Sequence, residues 1–347
     1  VDAYPDYDDE PLQVQISALA YDDYIGRLGI GRVFKGKLDS SEQICICSEG
    51  HEPRRGKISK LSVYEGLKQV ETDQAMSGEM VVVAGIPDIA IGETICSQDN
   101  PKPMGAILIE EPTLSMNFMV NDSPFVGRSG KFVTTRHIKD RLEKELEVNV
   151  GLKVEPLETT DGYRVSGRGE LHLSILIENM RREGYELGVS KPQVLMHKDS
   201  EGNLLEPIER VTVSCPEAYS GTVINELNLR KGLMESMEIL DGDYVKIEFL
   251  VPTRGLLGYR SEFINATRGE GTLLSSFERF DDYKGEIPSR LNGVLVSQTA
   301  GKTMGYALNA LSSRGILFVD PAIDVYEGMI IGMNSRKEDM VVNPCKN

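Results

Sequence analysis

Gly167-Arg168-Gly169-Glu170-Leu171-His172-Leu173, running on into Ser174-Ile175-Leu176-Ile177-Glu178-Asn179-Met180-Arg181-Arg182, is a place where a strand turns into a helix. The residues before it, Gly162-Tyr163-Arg164-Val165-Ser166, read as extended chain, and glycines punctuate the change. Behind the glycines, Leu173, Leu176, Ile177 and Met180 fall at i, i+3, i+4 and i+7, one apolar stripe that must lie on a sheet. Ser174, Glu178, Arg181 and Arg182 take the other side, and Leu171 and Ile175 fall outside the stripe. The junction is half of a split βαβ unit.

Reading outward from it completes that unit. Strand 113–121, helix 129–146, strand 148–157, strand 162–167, helix 170–183 and strand 185–191 follow in order, with Ser129 placed to cap the first helix and Phe132, Thr135, Ile138, Leu142 and Leu146 on its inner face. The order βαββαβ predicts a ferredoxin-like layer, with both helices on one face of a four-stranded antiparallel sheet. A second block repeats it: strands 210–215, 233–239, 244–252 and 273–280, helices 219–230 and 258–267, and a hairpin signal at Asp241-Gly242-Asp243. Before both, from Leu12 to about Ser97, short alternating runs between recurrent glycines predict a small β-barrel. After Ile287-Pro288-Ser289 a fourth, mostly β piece begins, with one helix at 303–311. The predicted organisation is therefore multidomain, β and α+β: an acidic leader 1–10, a barrel 11–100, ferredoxin-like units 104–194 and 195–286, and a last, incomplete domain 287–347.

A hydrophobic fraction of 40% and a charged fraction of 27% are those of a water-soluble globular chain, and no apolar run approaches the ~20 residues of a membrane span. Val1 is not an initiator and the C-terminus breaks off without a closing element, so the sequence reads as a fragment. The 5 cysteines are dispersed, which favours a reducing cytoplasm over a disulfide framework; Cys45 and Cys47 share a strand face and read as buried apolar residues rather than zinc ligands. The net charge of −16 argues against nucleic acid on average, yet the leader alone holds Asp2, Asp6, Asp8, Asp9 and Glu10, while 51–60 and 128–145 are locally basic.

Two stretches imitate a phosphate-binding loop. Gly301-Lys302-Thr303 follows a strand and precedes a helix, and Ile316-Leu317-Phe318-Val319-Asp320 resembles an apolar strand ending in a magnesium-associated Asp. The loop needs a glycine five positions before the second one, so that backbone N–H groups can wrap a phosphate; Val296 stands there, and Phe125 stands at the same place before Gly127-Arg128-Ser129-Gly130-Lys131. An autonomous P-loop enzyme is thus the rival reading, and a protein-only interaction scaffold a third. The histidines, His51, His137, His172 and His197, show no metal-ligand spacing.

The order of a barrel followed by two ferredoxin-like units resembles the part of the elongation-factor-G group of translational GTPases that lies behind the GTPase domain. Gly167 to Leu173 resembles that group's third-domain signature, and Glu206-Pro207-Ile208-Glu209-Arg210-Val211-Thr212-Val213 the entry to its fifth domain. Val251-Pro252-Thr253-Arg254-Gly255-Leu256-Leu257-Gly258-Tyr259, Ala266-Thr267-Arg268-Gly269-Glu270-Gly271, Gln298-Thr299-Ala300-Gly301-Lys302 and Ala310-Leu311-Ser312-Ser313-Arg314-Gly315 are similar to the BipA, or TypA, branch, and the resemblance covers essentially the whole chain. It implies a ribosome-binding protein of translation, ribosome assembly and stress adaptation. In it GTP and Mg belong to a GTPase domain that has no counterpart here, and this chain is non-catalytic, without a cofactor or metal of its own. The implied partners are ribosomal RNA, transfer RNA, ribosomal proteins and the chain's own GTPase domain, with no membrane, in the cytoplasm. Contact with RNA would run through bases that meet phosphates without reading sequence. The candidates are Arg54, Arg55 and Lys57 in the barrel, Arg254, Arg260 and Arg268 in the second ferredoxin-like unit, and Lys302, Arg314, Lys337 and Lys346 in the last domain.

Overall fold

Residues 4–158, 161–240, 242–287 and 292–346 are described by the computed structural model. The chain divides into two compact units, one made of Val1–Asp122 with Val126–Leu195, the other of Ser123–Phe125 with Met196–Asn347.

The first unit begins with a curled sheet whose 8 strands are ordered Arg54–Lys57, Gln43–Cys47, Thr94–Ser97, Gln13–Asp22, Gly26–Lys35, Met80–Ala84, Lys60–Glu65 and Lys68–Glu71. Alternation sends Val14, Ile16, Val33, Ile44, Ile46, Val81, Val83 and Ile95 to one interior, each at most 2% exposed. At Gly31 the neighbouring strand passes so close that a Cβ would sit 2.3 Å from the Gln15 carbonyl oxygen. The expected closed barrel is not what the ladders form: the order is an open path, and none of the described ladders joins Arg54–Lys57 to Lys68–Glu71. Ile58 and Ser59 carry the first edge strand directly into Lys60–Glu65, with Ile58 fully buried and the Ser59 N–H bonded to the Ala84 carbonyl at 2.9 Å.

The same unit then lays down an antiparallel sheet ordered Lys153–Pro156, Gly162–Gly167, Leu114–Val120, Leu187–Val189, with helices Thr135–Leu146 and Glu170–Arg182 inserted after its first and third strands in chain order. Leu173, Leu176 and Met180 are buried, whereas Leu171 and Ile175 are 72% and 51% exposed, so the stripe read from the sequence is the face that packs. The first helix departs from expectation at its start. It begins at Thr135 and is capped by the Thr134 hydroxyl, which accepts from His137 N–H. Ser129 is held elsewhere, because the Glu186 carboxylate accepts from the N–H groups of Gly127, Ser129 and Gly130 at 2.9, 2.8 and 3.1 Å and from the Asn121 amide at 2.7 Å.

In the second unit the strand order is Leu233–Leu240, Tyr244–Pro252, Leu204–Pro216, Thr272–Asp282, again antiparallel and again second, third, first, fourth by chain position. Helix Glu217–Leu229 follows the first strand, and the helix expected at 258–267 is Tyr259–Ala266, preceded by an additional short helix Thr253–Leu256 from which Gly258 at φ +72° parts it. Val211, Val213, Val245, Ile247, Phe249, Tyr259 and Phe263 form the core beneath them. The predicted hairpin reaches Asp241, which lies outside the described residues; Gly242 and Asp243 both take positive φ, +79° and +59°. The last sheet is ordered Gly315–Leu317, Ile330–Asn334, Val294–Ser297, Met340–Val342, its final pair parallel, and Leu311 from helix Gly305–Ser312 packs on Leu295, Val325, Ile331 and Val342. Among the described residues no helix is long and apolar enough to cross a membrane.

Candidate nucleic-acid interface

The bases singled out in the sequence separate into those already spent inside the fold and those left facing solvent. Arg54 belongs to the first kind. It holds Glu93 through both terminal nitrogens, one at 2.9 Å, and reaches the Asp88 carbonyl at 3.2 Å; the bond to Glu93 raises its pKa. Arg55 and Lys57, two apart on the same edge strand, are both exposed on the side away from the apolar interior.

Arg254 is more deeply committed. Glu206 has no exposed side-chain surface, and its carboxylate takes the Arg254 Nε and Nη2 together with the Lys284 N–H. Arg254 also donates to the Gly285 carbonyl and lies 4.5 Å from the centre of the Tyr283 ring. Arg260 and Arg268 are exposed and sit at opposite ends of helix Tyr259–Ala266. Arg268 adopts φ +50° in the turn that ends this helix, where Gly269 N–H returns to the Ile264 carbonyl at 2.8 Å, and the turn pushes the side chain outward.

The last sheet gathers bases that are distant in sequence. Gly315 pairs with Asn334, and Ser335 N–H bonds the Arg314 carbonyl at 2.8 Å, so Arg314 and the Arg336-Lys337 dipeptide emerge from adjoining strand ends, all exposed. Arg336 was missed in the sequence reading; its sign there is a pair of adjacent bases, and its neighbour Arg314 is supplied by the ladder alone. Lys302, on the separate two-stranded ladder with Asp324–Val325, and Lys346 are both exposed, and their segments are tied by the Met304 N–H bond to the Pro344 carbonyl at 2.9 Å.

Neither phosphate-loop look-alike is built as one. Gly301–Lys302 is a strand paired with Asp324–Val325, Thr303 N–H bonds Ile323, and the Thr303 hydroxyl donates to the Asp320 carbonyl at 2.6 Å while accepting from Ile323 N–H. At 127–130 the N–H groups converge on the internal Glu186 carboxylate. In both places the donors a phosphate would need are already paired. Cys45 and Cys47 are buried together with Cys96 in a small cluster on the outer side of the first sheet. Burial pushes the Cys47 and Cys96 thiols up, so these two sulfurs are poor nucleophiles.

The chain thus carries a curled β layer, two strand–helix–strand–strand–helix–strand layers and outward-facing bases, and comparison with known proteins says which proteins share its segments. Residues 203–291 match the family described as Elongation factor G C-terminus, and residues 292–347 match the TypA/BipA C-terminal domain. The chain is 46% identical over 347 residues to the large ribosomal subunit assembly factor BipA of Bacillus subtilis, covering 100% of this chain and 56% of that protein. With the factors of the same name from Escherichia coli K12 and Synechocystis the identities are 46% over 341 residues and 45% over 337 residues, covering 98% and 97% of this chain and 56% of each relative. The chain belongs to the BipA family, and it spans about half the length of these relatives.

Proposed function

We propose that this chain is the ribosome-docking part of a BipA-type translational GTPase acting in assembly of the large ribosomal subunit. The observation that carries the reading is the gathering of exposed bases Arg314, Arg336 and Lys337, with Lys302 and Lys346 also exposed, on the very domain that matches the TypA/BipA C-terminal family. Such groups neutralise phosphates without reading bases, which suits a folded ribonucleoprotein surface. Arg55, Lys57, Arg260 and Arg268 are secondary contacts in the same reading. The curled sheet and the two α/β layers correspond to the second, third and fifth domains of the elongation-factor-G group. GTP and Mg are held by the remaining length of the full protein, and the curled sheet with its neighbouring layer relays nucleotide state from there. The partners are ribosomal RNA, transfer RNA and ribosomal proteins, in the cytoplasm.

The test is co-sedimentation with large ribosomal subunits across a salt series. Replacing Arg314, Arg336 and Lys337 with Glu is expected to weaken binding and to flatten the slope of log K against log salt by ~0.7–0.9 per lost contact. Unchanged affinity and slope in that variant, with its fold intact by circular dichroism, would remove this surface from the interface.

A further inference from the structure

Among the described residues, the antiparallel sheet of the second unit has two open edges, Leu233–Leu240 and Thr272–Asp282, and the first is the more exposed. All 8 residues of Leu233–Leu240 are exposed, and the strand pairs with Tyr244–Pro252 on one side. Lysine and proline, two common devices against further pairing, are absent from Leu-Met-Glu-Ser-Met-Glu-Ile-Leu, and the strand's irregularity is confined to the register shift between Met234 and Ser236.

Its two faces differ in chemistry. Met234, Met237 and Ile239 stand opposite Phe249, Ile247 and Val245, the fully buried residues of the helix-covered core, and so continue that apolar layer outward. Yet they are 43%, 43% and 71% exposed, and helix Glu217–Leu229 ends beside them with Leu229 at 60%. The other face is acidic. Glu238 stands opposite Lys246 there, Glu235 accepts from Arg210 at 2.5 Å, and Glu248 and Glu278 lie alongside, four carboxylates around the bases Arg210 and Lys246.

We infer that this edge receives an extended segment of a basic protein by strand addition. The incoming strand pairs its backbone with Leu233–Leu240, seats alternate apolar side chains on Met234, Met237 and Ile239, and sets Lys or Arg residues against Glu235, Glu238 and Glu248. Charge selects this occupant over the others. Phosphates of RNA meet the carboxylates with repulsion, and a second copy of the strand paired on itself brings glutamates against glutamates. The residues of this surface are other than the exposed bases assigned to RNA.

The test uses the whole chain and a ten-residue peptide alternating Lys and Val, with a Glu–Val peptide as control. Hydrogen exchange is expected to show new protection of amides in 233–240 with the Lys–Val peptide and none with the control. Glu235→Lys with Glu238→Lys should lower that affinity by about tenfold. Ile239→Lys, which leaves both glutamates in place, should lower it through the apolar face. No protection, equal protection by the Glu–Val peptide, indifference to these substitutions, displacement of the peptide by RNA, or self-association through this strand would each overturn the inference. Ribosome co-sedimentation of the Glu235→Lys, Glu238→Lys variant separates it from the docking reading, which can fail or stand without it.

Discussion

At the level of single residues, the junction that opens the helix shows which glycine matters. A Cβ on Gly167 would lie 2.8 Å from His172 Nδ1 and 2.9 Å from Leu173 Cδ2, whereas Gly169 has open space and an extended backbone. Gly167→Ala is expected to destabilise the first unit by ~1–3 kcal/mol through overpacking, and Gly169→Ala by much less, as read by denaturant melts. His172 Nδ1 accepts from Arg168 N–H at 3.2 Å, and Nε2 meets the Asn149 side-chain amide, 2.8 Å from its nitrogen and 3.1 Å from its oxygen. Burial, with Arg168 nearby, lowers its pKa below the ordinary value of 6.5. The unfolded chain therefore takes up this proton first as pH falls. The stability His172 contributes is present above about pH 6.5 and is lost below it. Thermal melts between about pH 7.5 and about pH 5.5 should show that loss, and His172→Gln should make the dependence shallower. Arg254 illustrates the opposite lesson. Removing it leaves Glu206 buried without its ion partner, so Arg254→Ala is expected to cost ~3–5 kcal/mol in urea denaturation. A loss of ribosome binding in that variant would report unfolding, and Arg260 with Arg268 is the informative pair in this domain.

Among the elements, helix periods were readable because one face of each helix is buried and the other is not. Leu173, Leu176 and Met180, and Ile138 with Leu142, follow 3.6-residue spacing into the core. Helix ends were less readable, because capping is decided by whichever partner the fold delivers. Ser129 has the right chemistry for a cap, but Glu186, distant in sequence, claims its N–H, and Thr134 caps instead. Thr134→Ala should destabilise the helix by ~1 kcal/mol. Glu186→Gln should instead loosen the 127–130 turn, seen as faster amide exchange at Gly127, Ser129 and Gly130 while the helix amides stay protected. Equal protection at those three amides would show that the carboxylate does not hold the turn.

Over the whole molecule, the repeated layer order was legible because strand and helix periods alternate in the same sequence twice. The barrel was only half legible. Alternation identified its strands, but closure depends on which strands pair, and the ladders leave an open path in which Ile58 and Ser59 only link one edge strand to Lys60–Glu65 along the chain. The same division applies to the site. Sequence by itself determined the element types, the apolar stripes and the family likeness, since these follow from local period and from short motifs. Tertiary structure decided which bases are free: Arg54 and Arg254 are bound to Glu93 and Glu206, while Arg314 meets Arg336 and Lys337 across a ladder. The physical reason is that period is a property of neighbours along the chain, whereas the partner of a charge is set by pairing between segments far apart in it.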